Sequence, residues 1–192
     1  PIIDEAKRRN LYLNPRAIPS LTVGDGAAAY ILGPTEQEGR IKFSEPFTLA
    51  QHNRLCIGQA CKNHRGPRMR TKARELQNSV MTNLGTFLQR SMNKMGVKWE
   101  QIDHTYAHPT TPKAVKKGAK IATEALGEIK FLHNESVETA NTASTTHGVL
   151  LEISLENKYL NVDETVLLIS FGSGVAIVAI HFNLPEGVEN WS

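Results

Sequence analysis

A chain of 192 residues can form one ordinary domain with a real core, and 40% hydrophobic with 21% charged residues reads as globular rather than disordered or fibrous. No apolar run reaches the ~18 residues of a membrane helix, and no basic stretch followed by an apolar one opens the chain, so neither a membrane span nor a secretory leader is expected. The formal net charge is a mild +3, and two cysteines, Cys56 and Cys61, are too few for a disulfide framework, which fits a reducing cytoplasm.

Pro15 and Pro19 make the first twenty residues irregular. Residues 21–32, Leu-Thr-Val-Gly-Asp-Gly-Ala-Ala-Ala-Tyr-Ile-Leu, predict a strand interrupted at Gly24-Asp-Gly26, with small residues that let another backbone approach closely. After a polar connection at 33–39, residues 40–51 alternate well enough for a further extended segment. Lys62, Arg65, Arg68, Arg70, Lys72 and Arg74 then put six cations into thirteen residues with no acid among them. Such a run either attracts phosphates or an acidic protein, or is a solvated helix entrance. Nucleic acid is disfavoured, because aromatic residues are only 6% and none is interleaved with the basic run.

From Met69 the pattern is helical: Met69, Ala73, Leu76, Val80, Leu84, Phe87, Leu88, Met92 and Met95 recur at three and four residues, and Gly96 closes the helix. Residues 102–107 predict a short strand. Pro112 sits in the first turn of a second helix whose apolar face is Val115, Ile121, Ala122 and Ala125, with Gly127 at its end. A strand at 129–132 and a third helix at 143–157 follow, the latter apolar at Val149, Leu150, Ile153 and Leu155. Two strongly apolar strands, 165–170 and 175–180, are joined by a tight hairpin at Phe171-Gly-Ser-Gly174, and 184–192 reads as a tail. The order α-β-α-β-α-β-β from residue 69 implies an α/β fold, a mixed sheet with helices on its faces.

Two segments carry the chemistry: Thr-Tyr-Ala-His-Pro-Thr-Thr at 105–111 and Thr-Ala-Asn-Thr-Ala-Ser-Thr at 139–145. Each follows a β-prone run and opens a helix, and in α/β sheets ligands bind at the C-terminal ends of neighbouring strands. A neutral imidazole, His108, and a side-chain amide, Asn141, could there donate hydrogen bonds to one developing oxyanion. No cysteine is placed to be the nucleophile that usually accompanies such a pair, so the chain reads as half an active site. His104 and His108 have the spacing of a zinc helix, but Thr105 follows where glutamate would and the segment reads as strand. Cys56 and Cys61 lack metal-ligand spacing, so no metal is expected. Neither Gly24-Asp-Gly26 nor the Phe171–Gly174 hairpin follows a dinucleotide or Walker pattern. His147, inside a predicted helix, reads as structural or exposed.

Four segments in order resemble the β-ketoacyl-[acyl-carrier-protein] synthase III family of the thiolase superfamily. Gly24-Asp-Gly-Ala-Ala-Ala29 is similar to its GDGAGA, His108-Pro-Thr-Thr111 stands for HQAN, Ala140-Asn-Thr-Ala-Ser144 for GNTSA, and Phe171-Gly-Ser-Gly174 for FGGG. The match covers about residues 20–182, with Pro109, Thr111 and Ala140 as departures; His-Pro is reminiscent of the chalcone-synthase branch.

The resemblance implies a thiolase-like fold, in which two α/β halves stack as α-β-α-β-α layers. Residues 1–39 would end the N-terminal half, supplying its last strand, and 40–192 would form the C-terminal half. It implies an acyltransferase performing decarboxylative Claisen condensation of acyl thioesters, as in fatty acid biosynthesis, with the nucleophilic cysteine in an N-terminal half or companion chain. His108 and Asn141 would be catalytic. The backbone at Gly172 and Ser173 would serve a second oxyanion hole, and Lys113, Lys116, Lys117, Arg68 and Arg70 would dock carrier protein or CoA, unless the lysines are simply a solvated helix face. No cofactor is implied beyond acyl-CoA and acyl-carrier-protein substrates, and complete units would dimerise. The rival expectation is a non-catalytic thiolase-like subunit that binds a carrier protein or completes a dimer.

Overall fold

Apolar residues two apart along strands and three or four apart along helices decide which surfaces meet. The computed structural model describes residues 8, 23–34, 40–60, 67–108, 111–133 and 141–188. Its elements in chain order are β1 (Ile41–Phe43), β2 (Phe47–Thr48), β3 (Cys56–Ala60), β4 (Pro67–Thr71), α1 (Ala73–Met95), β5 (His104–Ala107), α2 (Pro112–Leu126), β6 (Phe131–His133), α3 (Thr146–Glu156), β7 (Thr165–Gly172) and β8 (Ala176–Asn183). The main sheet runs β1-β8-β7-β5-β6, with β2 also paired to β8; β3 and β4 form a separate antiparallel pair. β8 is antiparallel to β1, β2 and β7, whereas β7, β5 and β6 are mutually parallel. The mixed sheet expected from the sequence is therefore present.

Strand β7 has an apolar residue on each face, so it sits between two cores. Leu167 and Ile169 join Ile177 and Ala179 of β8 against Val80, Leu84, Phe87, Leu88 and Met92 of α1 and Ala122 of α2. Val166 and Leu168 join Tyr106 and Leu150 on the opposite face, under α3. Leu88, Leu167, Val166 and Leu150 are fully buried, each contributing about 1.5–3 kcal/mol by its removal from water. The helices end where their chemistry dictates. Gly96 takes the left-handed conformation after α1, at φ 63°, and its N–H is received by the carbonyls of Asn93 and Met92. The Thr111 side chain caps α2 by accepting from the Ala114 N–H, with Pro112 in the first turn.

The N-terminal ends of the three parallel strands are held by polar side chains. The Asp103 carboxylate accepts from Lys130 Nζ at 2.8 Å, from the Thr165 N–H at 2.9 Å and from the Thr165 hydroxyl at 2.9 Å. Beside it runs a buried chain: His104 Nε2 meets Glu164 Oε2 at 2.8 Å, His104 Nδ1 meets His133 Nε2 at 3.0 Å, and His133 Nδ1 meets Ser154 Oγ at 3.1 Å. The His133 ring lies flat on Tyr106, with centroids 4.0 Å apart. One network thus joins β5, β6, α3 and the approach to β7.

Several sequence expectations change. Residues 23–34 carry no strand beyond one parallel bridge between Val23 and Asn141, because among the described residues no other backbone lies alongside to pair with them. Small residues do serve close packing there: a Cβ on Gly148 would lie 2.3 Å from that of Ala28, and one on Gly26 would lie 2.7 Å from Thr145 Oγ1. The extended segment at 40–51 is two short strands around a bend, where Ser44 exchanges hydrogen bonds with Ala179 of β8. The β3–β4 pair was not foreseen, and Met69, Arg70 and Thr71 end β4 rather than opening α1, since Gly58 and Arg68 through Thr71 show no apolar alternation that would mark strands. Residues 184–188 are not a tail: Leu184 and Val188 are buried in the core under α3. Phe171 and Gly172 belong to β7, so the hairpin turn is shorter than expected. Lys62, Arg65, Cys61, Pro109 and Ala140 lie outside the described residues.

Four histidines, three of them buried and His108 half-buried, resist protonation. Burial first, then the neighbouring His104, pushes His133 down from 6.5 to about 4, and burial first, then His108, does the same to His147. Burial also lowers His108 and His181. Between about pH 6.5 and 4 the unfolded chain binds protons that the folded chain refuses, so stability present at neutral pH is lost as the pH falls. The melting temperature followed by calorimetry should drop steadily from pH 7 to about 4.5. A flat profile over that range would contradict the burial of neutral His133 and His147.

Candidate functional site

Parallel β5, β6 and β7 end at the same edge of the sheet, the edge at which open α/β sheets bind ligands. His108 immediately follows β5, and its N–H donates to the Ile169 carbonyl of β7 at 2.9 Å, so the backbone ladder fixes where the imidazole starts. Asn141 stands between β6 and α3. Its Oδ1 accepts from the Ala143 N–H at 2.9 Å, which leaves Nδ2, the donor end of the amide, for another partner. Its carbonyl accepts from the Gly24 N–H, also at 2.9 Å. The Gly24-Asp-Gly26 segment therefore abuts the asparagine loop.

A cavity of about 660 Å³ joins these parts. His108, Asn141, Ala143, Ser144, Ser170, Gly172 and Ser173 line one region of it. Its remaining walls are mostly apolar, including Met69 of β4, Leu76 and Leu84 of α1, Val115 and Ala122 of α2, and Trp99, with Gln77, Thr71, Thr105 and Thr111 among them. The lining contains no carboxylate, ammonium or guanidinium group among the described residues. Its polar equipment is neutral: one imidazole whose pKa burial holds below 6.5, the amides of Asn141 and Gln77, several hydroxyls and the exposed backbone of the β7–β8 turn. Such a surface suits a ligand with an apolar tail and one polar group needing hydrogen-bond donors. Donors gain strength where water is excluded.

The structure brings His108, Asn141, Gly172 and Ser173 to one cavity, as the sequence motifs suggested. It keeps the proposed docking residues apart from one another. Lys113, Lys116 and Lys117 are exposed on α2, whereas Arg70 is exposed on β4, where Arg68 also lies. Cys56 lines the apolar wall on β3, and its thiol meets the Thr71 hydroxyl at 3.3 Å rather than an imidazole. His104 does not join His108: it faces Glu164 and His133 at the opposite end of β5. Among the described residues no three His, Cys, Asp or Glu side chains gather as metal ligands.

Sequence reasoning missed His147. Only 8% exposed, it lies in the first turn of α3 with Nε2 2.8 Å from Ser170 Oγ, and its ring stands edge-on to His108 with centroids 6.2 Å apart. Burial first, then His108, lowers His147 to about 4, partly opposed by a backbone interaction with Ile169, which makes it a weak base beside Ser170.

Ala143 adopts φ 55°, a left-handed conformation that costs a residue with a Cβ roughly 1–2 kcal/mol. The Asn141 side chain holds it there. Ala143→Gly should therefore stabilise the protein by up to about 1 kcal/mol in denaturant unfolding. A loss of stability instead would show that the loop does not carry this strain.

Layers, parallel strands and the edge cavity define half of a thiolase-like fold, with helices on both faces of a mixed sheet. Solved structures sharing it include 3-oxoacyl-(acyl carrier protein) synthases III and OleA. One is 3-oxoacyl-(acyl carrier protein) synthase III, FabH, from Pseudomonas aeruginosa PAO1, at TM-score 0.66 and 16% identity over 81% of this chain and 47% of that one. The corresponding synthase from Thermus thermophilus gives 0.63 and 19% over 77% and 47%, and a C143A form of Xanthomonas campestris OleA gives 0.61 and 17% over 74% and 39%. The chain thus spans about half the length of the solved structures it matches. No family model and no curated protein matches the sequence. The resemblance read from four short motifs is borne out as a shared fold.

Proposed function

We propose that this chain is the C-terminal portion of a synthase III-like acyltransferase, with residues 1–39 closing an N-terminal half and 40–192 forming the second. The observation that carries the reading is the convergence of His108, Asn141 and the Gly172–Ser173 backbone on one largely apolar cavity. In the proposed reaction a cysteine of the other half holds the acyl group as a thioester. A malonyl-type thioester loses carbon dioxide, and its enolate attacks the acyl carbon, forming the new carbon–carbon bond as the C–S bond breaks and the cysteine leaves as thiolate. His108 and Asn141 donate to the thioester oxygen as negative charge builds on it, each worth roughly 2.7–4 kcal/mol of barrier in favourable cases. The Gly172–Ser173 backbone contributes to the second oxyanion hole. Both partners are substrates, as acyl-CoA and acyl-carrier-protein thioesters, and the reaction needs no cofactor.

The missing half has a surface to cover. Ile41 and Phe43 of β1 are exposed, as are Tyr30, Leu32 and the fully exposed Ile31 of the segment beside α3. Apolar side chains in that number are more than scattered surface residues and fit a stacked partner layer. A dimer of complete units and a cytoplasmic setting belong to the same proposal; no helix among the described residues is long and apolar enough to cross a membrane.

Native mass spectrometry of the protein from its natural source tests the assembly: a companion segment bearing a cysteine that an acyl-CoA modifies is the expected result. In that assembly, His108→Ala and Asn141→Ala should each lower the condensation rate by at least about tenfold. Wild-type rates in both would refute the assignment.

A second reading, a non-catalytic subunit that binds a carrier protein, is favoured by the lysines of α2. Lys113, Lys116 and Lys117 are exposed, and α2 also contributes Ala114, Val115 and Gly118 to the cavity wall. Replacing these three lysines by glutamate should abolish salt-sensitive binding of an acidic carrier protein in calorimetry. If it does so while His108→Ala changes no rate, the non-catalytic reading wins.

A further inference from the structure

His108 owes its backbone position to β7, but nothing in the β5–β7 ladder fixes the plane of its ring. The neighbour able to do that is His147. Its imidazole is wedged edge-on against His108, at an interplanar angle of 68° and a centroid separation of 6.2 Å. Its own rotamer is held by the 2.8 Å hydrogen bond between Nε2 and Ser170 Oγ. Ser170 follows Ile169, the residue whose carbonyl receives the His108 N–H. Two adjacent residues of β7 thus hold the histidine pair, one through the main chain of His108 and the other through the side chain of His147.

The chemistry of the pair favours a passive role for the second ring. His147 lies in the first turn of α3, where the positive end of the helix dipole opposes an imidazolium, and it is more than nine-tenths buried. It stays neutral and adds no charge to the cavity. What it adds is volume and a polar anchor, which exclude water from one side of His108. Without it, His108 would face a void that water can enter, and the ring could rotate away from any oxygen it serves.

We propose that His147, clamped by Ser170, is a positioning residue that keeps His108 dry and correctly turned. The idea rests on reading His108 as the oxyanion donor, and its test separates the two. Histidine-labelled protein is titrated by NMR, with the His108 ring signal assigned by its loss in His108→Ala and the His133 signal serving as a control for the fold. In His147→Ala and in Ser170→Ala the His108 midpoint should rise by at least about half a unit toward its solution value, as hydration favours the charged form. His147→Phe, which refills the volume, should return it toward wild type. In an assembly that condenses thioesters, the two alanine variants should lose about tenfold in kcat with KM changed less than about twofold, because only the transition-state contact is lost. An assembly that shows no condensation even as wild type sinks the enzymatic reading and leaves the titration to decide the positioning role. His108 signals and midpoints that superimpose on wild type in both alanine variants, with His133 undisturbed, overturn the proposal.

Discussion

The parallel pairing of β5 with β7 is the constraint from which the rest of the site hangs. It aligns Ala107 with Ile169 and hands the next N–H, that of His108, to the Ile169 carbonyl. At the other end the same two strands are clasped by Asp103 and Thr165, which exchange hydrogen bonds in both directions. Burial alone would push the Asp103 carboxyl up, but Lys130 and Thr165 together hold it below its ordinary value. Polar groups therefore fix the register at one end while the opposite end is kept for chemistry. A slip of one residue would exchange the two faces of β5, sending Tyr106 away from the core under α3.

Among the described residues no Asp, Glu, Lys or Arg is buried. Glu164 illustrates this: burial would raise it, but hydrogen bonds from His104 and Asn161 outweigh that and keep it ionised at the surface end of a chain of histidines. The cavity at the other end of the sheet has neutral donors and apolar walls. A neutral donor costs little to desolvate when no ligand is bound, yet interacts strongly with a charge that appears only as bonds rearrange. That arrangement matches an oxygen that gains charge transiently better than a ligand that arrives charged.

The fold was readable wherever periodicity was strong. The α1 face from Leu76 to Met95, the capped start of α2 at Thr111-Pro112 and the apolar runs of β7 and β8 all announce themselves locally. β3 and β4 did not, because Gly58, Gln59 and the arginines of β4 lack the apolar alternation that marks a half-buried strand. Residues 23–34 misled for the opposite reason: strand-like composition is present, but among the described residues only Val23 finds a backbone to pair with. At the site, His108 and Asn141 were visible because they follow β-prone runs and open helices. His147 was not, because a histidine inside a helix carries no mark of which neighbour it will meet. Its contact with Ser170 spans 23 residues of sequence and exists only once α3 lies across β7.

His108 and Asn141 stand on unequal foundations. His108 continues a strand in the middle of a sheet, between buried layers. Among the described residues, Asn141 is joined to the rest by one bridge to Val23, carried by the Gly24 N–H, with its own side chain closing a turn on Ala143. Local opening is cheapest where few backbone bonds must break. A contact that presses the Gly24 segment onto Asn141 therefore bears on where its amide sits, whereas His108 is already held by the ladder of β5 and β7.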